Sequence, residues 1–182
     1  DGCLVIFIHE TFHSLMTGLP CSGKTTIVKD LQKDVPNLAI LDGDELREWL
    51  STKDFSKAGR VQHNKKVAHL AKFLLKHGVP SVVSLVSPYL ENRENAREII
   101  DAGDQFTECY VKCSLEKCEE RDTKGMYAKA RKGEIKGFTG IDDPYEAPEK
   151  TDLVIDTEHD SLSDSVKKVK DFLKRRYNYQ IQ

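Results

Sequence analysis

The stretch GLPCSGKTT, residues 18–26, constrains this chain more than any other part of it. Two glycines bracket four residues, and Lys24, Thr25 and Thr26 follow directly. This is a full P-loop pattern, in which the glycines let backbone N–H groups turn toward a phosphate and the lysine bridges two phosphates. The helix that follows directs its positive end at the same anion. The pattern therefore predicts a nucleoside triphosphate site, with the hydroxyl of Thr25 directed at Mg²⁺.

Around this loop, short apolar runs alternate with amphipathic helical stretches. The apolar runs predict five strands, at 12–17, 38–41, 81–86, 106–111 and 153–156. Helices are predicted directly after the glycine loop, over roughly 57–77, over 91–100 and from 162 onward. This alternation favours an α/β domain with a parallel sheet. With the P-loop it predicts a P-loop NTP hydrolase-type, three-layer sandwich with a five-stranded parallel sheet and a lid loop.

The length and charge of the chain limit its organisation and its partners. Its 182 residues suit one domain, 1–182, with an N-terminal extension over 1–11 to which no role is assigned. A net charge of −2, with both signs mixed, gives no support to a nucleic-acid or membrane partner. The early apolar run is too short to span a bilayer, and it is read as an extra strand or arm. Five cysteines without a secretion signal favour a cytoplasmic location.

The alternation of strands and helices stops between Gly133 and Lys150. This segment is rich in glycine, proline and acidic residues, and it has no apolar period. A loop of this length is more than a connector, and such loops often close over active sites. The sequence predicts a lid over about 124–150, with hinge glycines at 133, 137 and 140.

Two aspartates, Asp42 and Asp44, follow the second predicted strand. Ligands gather at the carboxyl ends of strands in an open parallel sheet, which places Asp42 beside the glycine loop. A carboxylate there holds Mg²⁺ or its waters, or takes a proton from an attacking hydroxyl. For Asp44, ligand contact and capping of the next helix are equally supported. Because no NKxD motif occurs, a GTPase is disfavoured and a small kinase is favoured.

The segments FSKAGR, SLVSPY, KARKGEIKGFTGIDDPYEAPE and LVIDT follow in this order, and together they closely resemble the adenylylsulfate kinase (APS kinase) family. The resemblance runs from about Thr17 to Thr157 and is most specific over 124–149. It implies transfer of a phosphoryl group from ATP to the ribose 3′-hydroxyl of adenylyl sulfate, giving ADP and 3′-phosphoadenylyl sulfate. ATP and Mg²⁺ are the implied cofactors. The family is often dimeric, which implies a homodimer, and fusions with ATP sulfurylase are common in it.

The resemblance also assigns roles to individual residues. The implied catalytic residues are Lys24, Asp42 and Ser87; Ser87 matches a serine labelled in the family as a phosphoserine intermediate, although direct in-line transfer needs none. The implied ligands of Mg²⁺ are Thr25 and Asp42. The implied ATP contacts are Gly18, Leu19, Pro20, Cys21, Ser22, Gly23, Lys24, Thr25, Thr26 and, beside the adenine, Arg121. The implied adenylyl sulfate contacts are Asp44, Arg47, Phe55, Arg60, His63, Val86, Ser87, Lys124, Gly137 and Phe138.

The chemistry of these side chains supports the assignment independently. Adenylyl sulfate carries a flat base, for which Phe55 and Phe138 offer aromatic faces. It also carries a phosphosulfate, for which Arg47 and Arg60 offer guanidinium groups. Taken one at a time, Phe55 and Phe138 are explained equally well as core residues, and Arg60 as a solvated helix residue.

The chain departs from the family pattern at three places, all on the acceptor side. Glu45 stands where the family usually has an asparagine, and the segment before Phe55 is shorter. His63 occupies the position of another asparagine, with Asn64 one residue further on. If His63 replaces the hydrogen bonds of that amide, the acceptor stays adenylyl sulfate, which the retained lid sequence favours. Otherwise the acceptor is a related nucleotide anhydride, such as a nucleoside diphosphoramidate.

A binding module without turnover is the alternative from a different functional class. Such a domain would be a non-catalytic nucleotide-binding part of a sulfurylase fusion. Degenerate domains tend to lose the P-loop lysine and the aspartates, whereas this chain keeps Lys24, Thr25, Asp42 and Asp44. The retained residues favour an enzyme.

Overall fold

The computed structural model describes residues 11–51, 54–101 and 103–179. Its five strands form one sheet, in the order β2-β3-β1-β4-β5, and every neighbouring pair is parallel. The strands are β1 (His13–Thr17), β2 (Ala39–Asp42), β3 (Ser81–Ser84), β4 (Phe106–Lys112) and β5 (Leu153–Asp156). The predicted fold class is confirmed. The early apolar run that was predicted to be an extra strand or arm lies outside the described residues, as does the rest of the extension over 1–11 except for Thr11.

Seven α-helices connect or flank these strands in the described part of the chain. They are α1 (Lys24–Leu31), α2 (Gly43–Trp49), α3 (Lys57–Lys76), α4 (Leu90–Ile100), α5 (Leu115–Arg121), α6 (Met126–Arg131) and α7 (Leu162–Tyr177). The first turn of α6 follows Gly125, so the predicted lid region contains a short helix that the sequence analysis did not predict. Residues 133–150, as predicted, contain no helix or strand. None of the described helices has the length and apolar character needed to cross a bilayer.

The sheet is covered on both faces, which makes the domain three-layered. Successive residues of a strand point to opposite faces, so Met16 and Leu15 of β1 enter different apolar clusters. The cluster around Met16 packs the sheet against α1 and α7, and the cluster around Leu15 packs it against α3 and α4. This arrangement holds the carboxyl ends of all five strands at one edge of a rigid sheet.

That edge carries the residues of interest. Thr17 ends β1 and leads into the glycine loop, while Asp42 ends β2 and Ser84 ends β3. Asp42 and Ser84 are register partners in the β2–β3 ladder. The strand predicted over 81–86 is shorter than expected, because the backbone leaves the sheet after Ser84 and reaches a φ of 43° at Ser87.

His13 in β1 is a buried imidazole that makes the stability of the domain depend on pH. Its Nδ1 lies 2.9 Å from Ser81 Oγ, and burial lowers its pKa to about 3. Below pH 6.5 the imidazole is protonated in the unfolded chain but stays neutral in the folded chain, so stability falls as pH falls. Between pH 7 and pH 5 we expect the wild type to lose ~2 kcal/mol more unfolding free energy than a His13→Asn variant, measured by urea denaturation. Equal losses would show that folded His13 is protonated in this range.

Candidate active site

The glycine loop joins β1 to α1 and has the backbone shape that its sequence predicts. Gly23 precedes the first turn of α1 with a φ of 98°, a conformation that favours glycine. A Cβ at Gly18 would lie 2.5 Å from the backbone oxygen of Val111, so no side chain fits there. Of the residues predicted to contact ATP, 18–23 therefore form one tight turn and 24–26 form the start of α1, the geometry that binds phosphate.

Lys24 is buried in this turn. Its ammonium group donates to the backbone oxygens of Leu19 and Gly18, at 2.7 and 2.9 Å, and lies 3.3 Å from Ser22 Oγ. Burial lowers its pKa to about 8. A bound phosphate group would give this ammonium a partner of opposite charge. The ammonium would then donate to the phosphate instead of to one or more of the loop carbonyls.

The lowered pKa of Lys24 gives ATP binding a pH dependence. A triphosphate prefers the charged ammonium, but in the free protein this form is lost as pH rises through about 8. We expect the dissociation constant of a non-hydrolysable ATP analogue to rise roughly tenfold between pH 7 and pH 9, because binding must then take up a proton. Calorimetric titration in buffers of different ionisation enthalpy measures both the affinity and the proton uptake. A constant affinity up to pH 9 would contradict the proximity of Lys24 to the phosphates.

Thr25 and Asp42 are brought together, as the predicted metal site requires. The Thr25 hydroxyl donates to Asp42 Oδ2 at 2.8 Å and lies 3.2 Å from Ser84 Oγ. Mg²⁺ prefers oxygen ligands and is often held by one or two protein oxygens, with phosphates and waters completing its shell. This set of oxygens fits such an ion, which would be held by Thr25 and Asp42. Within the described residues, no group of three or more His, Cys, Asp or Glu side chains is placed to hold a metal.

Asp42, and not Asp44, caps α2. Asp42 Oδ1 accepts a hydrogen bond from the backbone N–H of Asp44 at 3.0 Å. The capping role considered for Asp44 is therefore wrong, because Asp44 already lies inside the first helical turn. Its side chain points outward to form an ion pair with Lys124, which joins α2 to the segment before α6. Asp44 and Lys124, both predicted to contact the acceptor, thus lie together at the surface of the cleft.

Arg47, Phe55 and Arg60 also form one cluster. The Arg47 guanidinium lies 4.4 Å from the centroid of the Phe55 ring, and the Arg60 guanidinium lies 6.0 Å from it. Arg60 donates to the backbone oxygens of Phe55 and Gly137, at 2.9 and 2.6 Å. The Phe55 ring is more than half exposed. One side of it is thus covered by Arg47, so a nucleobase would stack on the other side or displace the guanidinium.

His63 lies one turn after Arg60 in α3 and is buried. Burial is the main cause that lowers its pKa to about 4, and the nearby charges of Arg47 and Lys66 lower it further. The imidazole is therefore neutral at pH 7 and has one donor and one acceptor nitrogen, the same pair of functions that an asparagine amide offers. Its role as a substitute for that amide stays a prediction.

Val86 and Ser87 follow β3 at the same edge of the sheet. The Thr17 hydroxyl donates to the backbone oxygen of Val86 at 2.7 Å, which ties this loop to the residue before the P-loop. Ser87 is 4% exposed. Its role as an acceptor of phosphate stays a prediction.

The predicted lid packs against the P-loop side of the cleft through Phe138. Its ring meets Tyr127 of α6 edge to face, with centroids 4.9 Å apart, and Tyr127 donates to the backbone oxygen of Pro20 at 2.9 Å. The two aromatic residues predicted to face the base therefore belong to different clusters, Phe55 with the arginines and Phe138 with Tyr127. Asp142 fixes the turn by accepting from the N–H groups of Gly137 and Phe138, at 2.8 and 2.6 Å.

Arg121, predicted beside the adenine, is linked to the P-loop through Thr157. Its guanidinium donates to the backbone oxygen of Thr157 at 2.5 Å, and the Thr157 hydroxyl donates to the backbone oxygen of Ser22 at 2.7 Å. This places Arg121 on the β5 side of the loop, at the opposite end of the sheet from Asp42.

Sequence reasoning missed four residues that organise the site: Ser84, Arg93, Tyr145 and Thr157. Ser84 was missed because the predicted strand continued to residue 86, whereas the observed strand ends at Ser84, at the same edge as Asp42. Arg93 leaves a signal, since it shares the buried face of α4 with Ala96 and Ile100. The Tyr145 hydroxyl lies 2.9 Å from that of Thr17, a contact between distant segments that no local pattern contains.

Comparison with known proteins agrees with this geometry. The sequence profile of the adenylylsulphate kinase family matches residues 10–156. The chain belongs to the adenylylsulfate kinase family. The adenylyl-sulfate kinase of Staphylococcus epidermidis is 41% identical over 171 residues, which cover 91% of this chain and 85% of the relative. The probable adenylyl-sulfate kinase of Aeropyrum pernix is 45% identical over 157 residues, which cover 83% of this chain and 86% of the relative.

A solved structure of the family superimposes closely. The APS kinase of Mycobacterium tuberculosis, determined in complex with AMPPNP and APS, has a TM-score of 0.83 and 38% sequence identity. The match covers 91% of this chain and 98% of the other. The family membership inferred from the lid sequence is thus confirmed by sequence and by fold.

Proposed function

We propose that this protein transfers the γ-phosphoryl group of ATP to the ribose 3′-hydroxyl of adenylyl sulfate, giving ADP and 3′-phosphoadenylyl sulfate. The observation that carries the proposal is the contact between Thr25 of the P-loop and Asp42 at the end of β2, at 2.8 Å, in a chain of this family. It unites the triphosphate-binding turn with the carboxylate expected at the attacking hydroxyl.

The residues of the chain supply positioning and charge. The 3′-oxygen forms a bond to the γ-phosphorus while the bond to the β–γ bridging oxygen breaks, and ADP leaves. Lys24 and the N–H groups of the glycine loop would stabilise the charge on the transferred group. Asp42 would accept the hydroxyl proton, or would instead orient the waters of Mg²⁺. When bound, Mg²⁺ would neutralise charge on the β- and γ-phosphates.

The acceptor would lie between α2, α3, the loop after β3 and the lid. Arg47 and Arg60 supply positive charge toward the phosphosulfate, and Phe55 supplies an aromatic face. Closure of the lid would exclude water, which otherwise competes for the γ-phosphate. Lys124 would exchange its ion pair with Asp44 for a contact with the substrate.

A coupled ADP-release assay with ATP and Mg²⁺, run with and without adenylyl sulfate, tests the function. Release that depends on adenylyl sulfate, with 3′-phosphoadenylyl sulfate identified by mass spectrometry, is the expected result. Tight ATP binding without turnover would contradict the acceptor assignment and point to Glu45 and His63. A nucleoside diphosphoramidate would then be the next acceptor to test, before a non-catalytic module is accepted.

Finer features belong to the same proposal. We infer a homodimer from the family resemblance, and light scattering of the purified chain tests it. A cytoplasmic location is supported by the free thiols of Cys21, Cys109, Cys113 and Cys118, the cysteines within the described ranges. Attachment to an ATP sulfurylase is allowed by the family's known fusions, and it is tested by sequencing the transcript on both sides of this region.

A further inference from the structure

Arg93 of α4 is a charged side chain with only 2% of its surface exposed. It lies on the apolar face of the helix, and its Nε is 3.2 Å from Glu108 Oε1 in β4. Burying an ion pair costs as much desolvation free energy as the attraction returns, so such a pair is weak evidence for a role in stability alone. The contacts of the other two guanidinium nitrogens suggest what else the residue does.

These two nitrogens reach two separate loops. Nη1 donates to the backbone oxygen of Ser87 at 2.7 Å, and Nη2 donates to the backbone oxygen of Glu146 at 2.6 Å. The first loop follows β3 and carries the predicted acceptor contacts Val86 and Ser87. The second is the far end of the predicted lid region. Because a guanidinium is planar and rigid, it fixes the two carbonyl groups relative to each other. The flexible ammonium group of a lysine would not do so.

The backbone at Ser87 depends on such support. Its φ of 43° lies in the left-handed region, which is unfavourable for a residue with a side chain. Glu146 reinforces the same loop from the other side, because its N–H donates to Pro88 at 2.8 Å and its carboxylate accepts from the Leu90 N–H at 2.6 Å. The end of the lid region is therefore fastened to the loop that forms one wall of the acceptor pocket.

We propose that Arg93 is a positioning residue for the acceptor: it holds the Val86–Ser87 wall and the Glu146 end of the lid region in one geometry that receives adenylyl sulfate. The ATP side has its own supports, among them the hydrogen bond from Thr157 to Ser22. Loss of Arg93 thus weakens the binding of adenylyl sulfate far more than the binding of ATP. This inference rests on the proposed function.

The test is the paired variant Arg93→Met with Glu108→Gln, which leaves neither charge buried alone. With both substrates varied in steady-state kinetics, KM for adenylyl sulfate is expected to rise about tenfold or more and kcat to fall, because small misplacements cost this much. KM for ATP is expected to stay within about twofold. A role in folding alone would lower the thermal unfolding midpoint and leave both KM values unchanged.

Arg97→Met is the matched control on the same helix. Arg97 is half-exposed, pairs with Asp152 at 3.5 Å and covers the Phe106 ring at 4.5 Å, so its loss should leave both KM values near wild type. Arg93→Lys is a second variant, for use if the paired variant does not fold. It keeps the charge opposite Glu108 but loses the planar guanidinium, and it should also raise the KM for adenylyl sulfate.

The outcomes separate this inference from the proposed function. Adenylyl-sulfate-dependent turnover by the wild type, with an unchanged KM for adenylyl sulfate in a folded Arg93 variant, overturns the role of Arg93 only. Equal rises in both KM values also overturn it, because they indicate general damage. A wild type without adenylyl-sulfate-dependent turnover overturns the proposed function and this inference with it.

Discussion

Replacing Lys24 with alanine is expected to lower kcat/KM at least about a thousandfold, the range observed when a preorganised cation or donor at a transferring phosphoryl group is removed. The ammonium already lies in the turn between Gly18 and Ser22, where it is shielded from water. Its interaction with developing charge is therefore stronger than that of a solvated lysine. ADP release, measured with varied ATP and saturating adenylyl sulfate, gives this kcat/KM for ATP.

The fold should survive this substitution. Burial of the Lys24 ammonium is unfavourable, as its pKa, lowered to about 8, shows. The substitution removes this unfavourable desolvation together with three hydrogen-bond donors, so the two effects on stability oppose each other. Circular dichroism should stay that of the wild type. Lys29→Ala, an exposed lysine of the same helix, is the control and should keep wild-type kinetics. Phosphoryl transfer by Lys24→Ala at the wild-type rate would show that the phosphates bind elsewhere.

The parts of this molecule that local sequence dictates were predictable. The positions of Gly18, Gly23 and Lys24 determine the shape of the P-loop, because backbone sterics and a helix N-terminus act over a few residues. Apolar periodicity likewise predicts the five strands, the long helix before Gly78 and the aperiodic segment from 133 to 150. Since parallel strands must end at one edge, Asp42 could be placed near Thr25 before any distance was known.

Contacts between distant segments were not predictable in this way. Either aspartate of the DGD sequence satisfies the capping preference, and only the backbone conformation at Asp42 shows which one caps α2. The lid sequence suggests a free loop, yet Tyr145 contacts Thr17, and Glu146 is bonded to the loop after β3. Arg93 shares a helix face with Ala96 and Ile100 in the sequence, but nothing there shows which two loops its guanidinium contacts.

Replacing Asp42 with asparagine is expected to lower kcat by about a hundredfold to ten-thousandfold, the contribution typical of a positioned proton acceptor. Asparagine keeps the side-chain oxygen that caps α2, so the hydrogen bond from the Asp44 N–H can persist. The charge is lost, and with it the ability to take a proton from the 3′-hydroxyl or to orient the shell of Mg²⁺. The substitution therefore tests the chemistry of Asp42 with little change to its structural role.

Two further readouts distinguish the roles left open for Asp42. If the carboxylate is the proton acceptor, the variant keeps its low kcat at saturating Mg²⁺ and gains no activity with Mn²⁺. If it orients Mg²⁺ instead, the variant needs a higher Mg²⁺ concentration for half-maximal rate, and part of its activity returns with Mn²⁺, which accepts less ideal ligand sets. Glu48→Gln removes one exposed charge from the same helix and should change neither measurement. Wild-type kcat in Asp42→Asn would rule out both roles, and the contact between Thr25 and Asp42 would then have only a structural meaning.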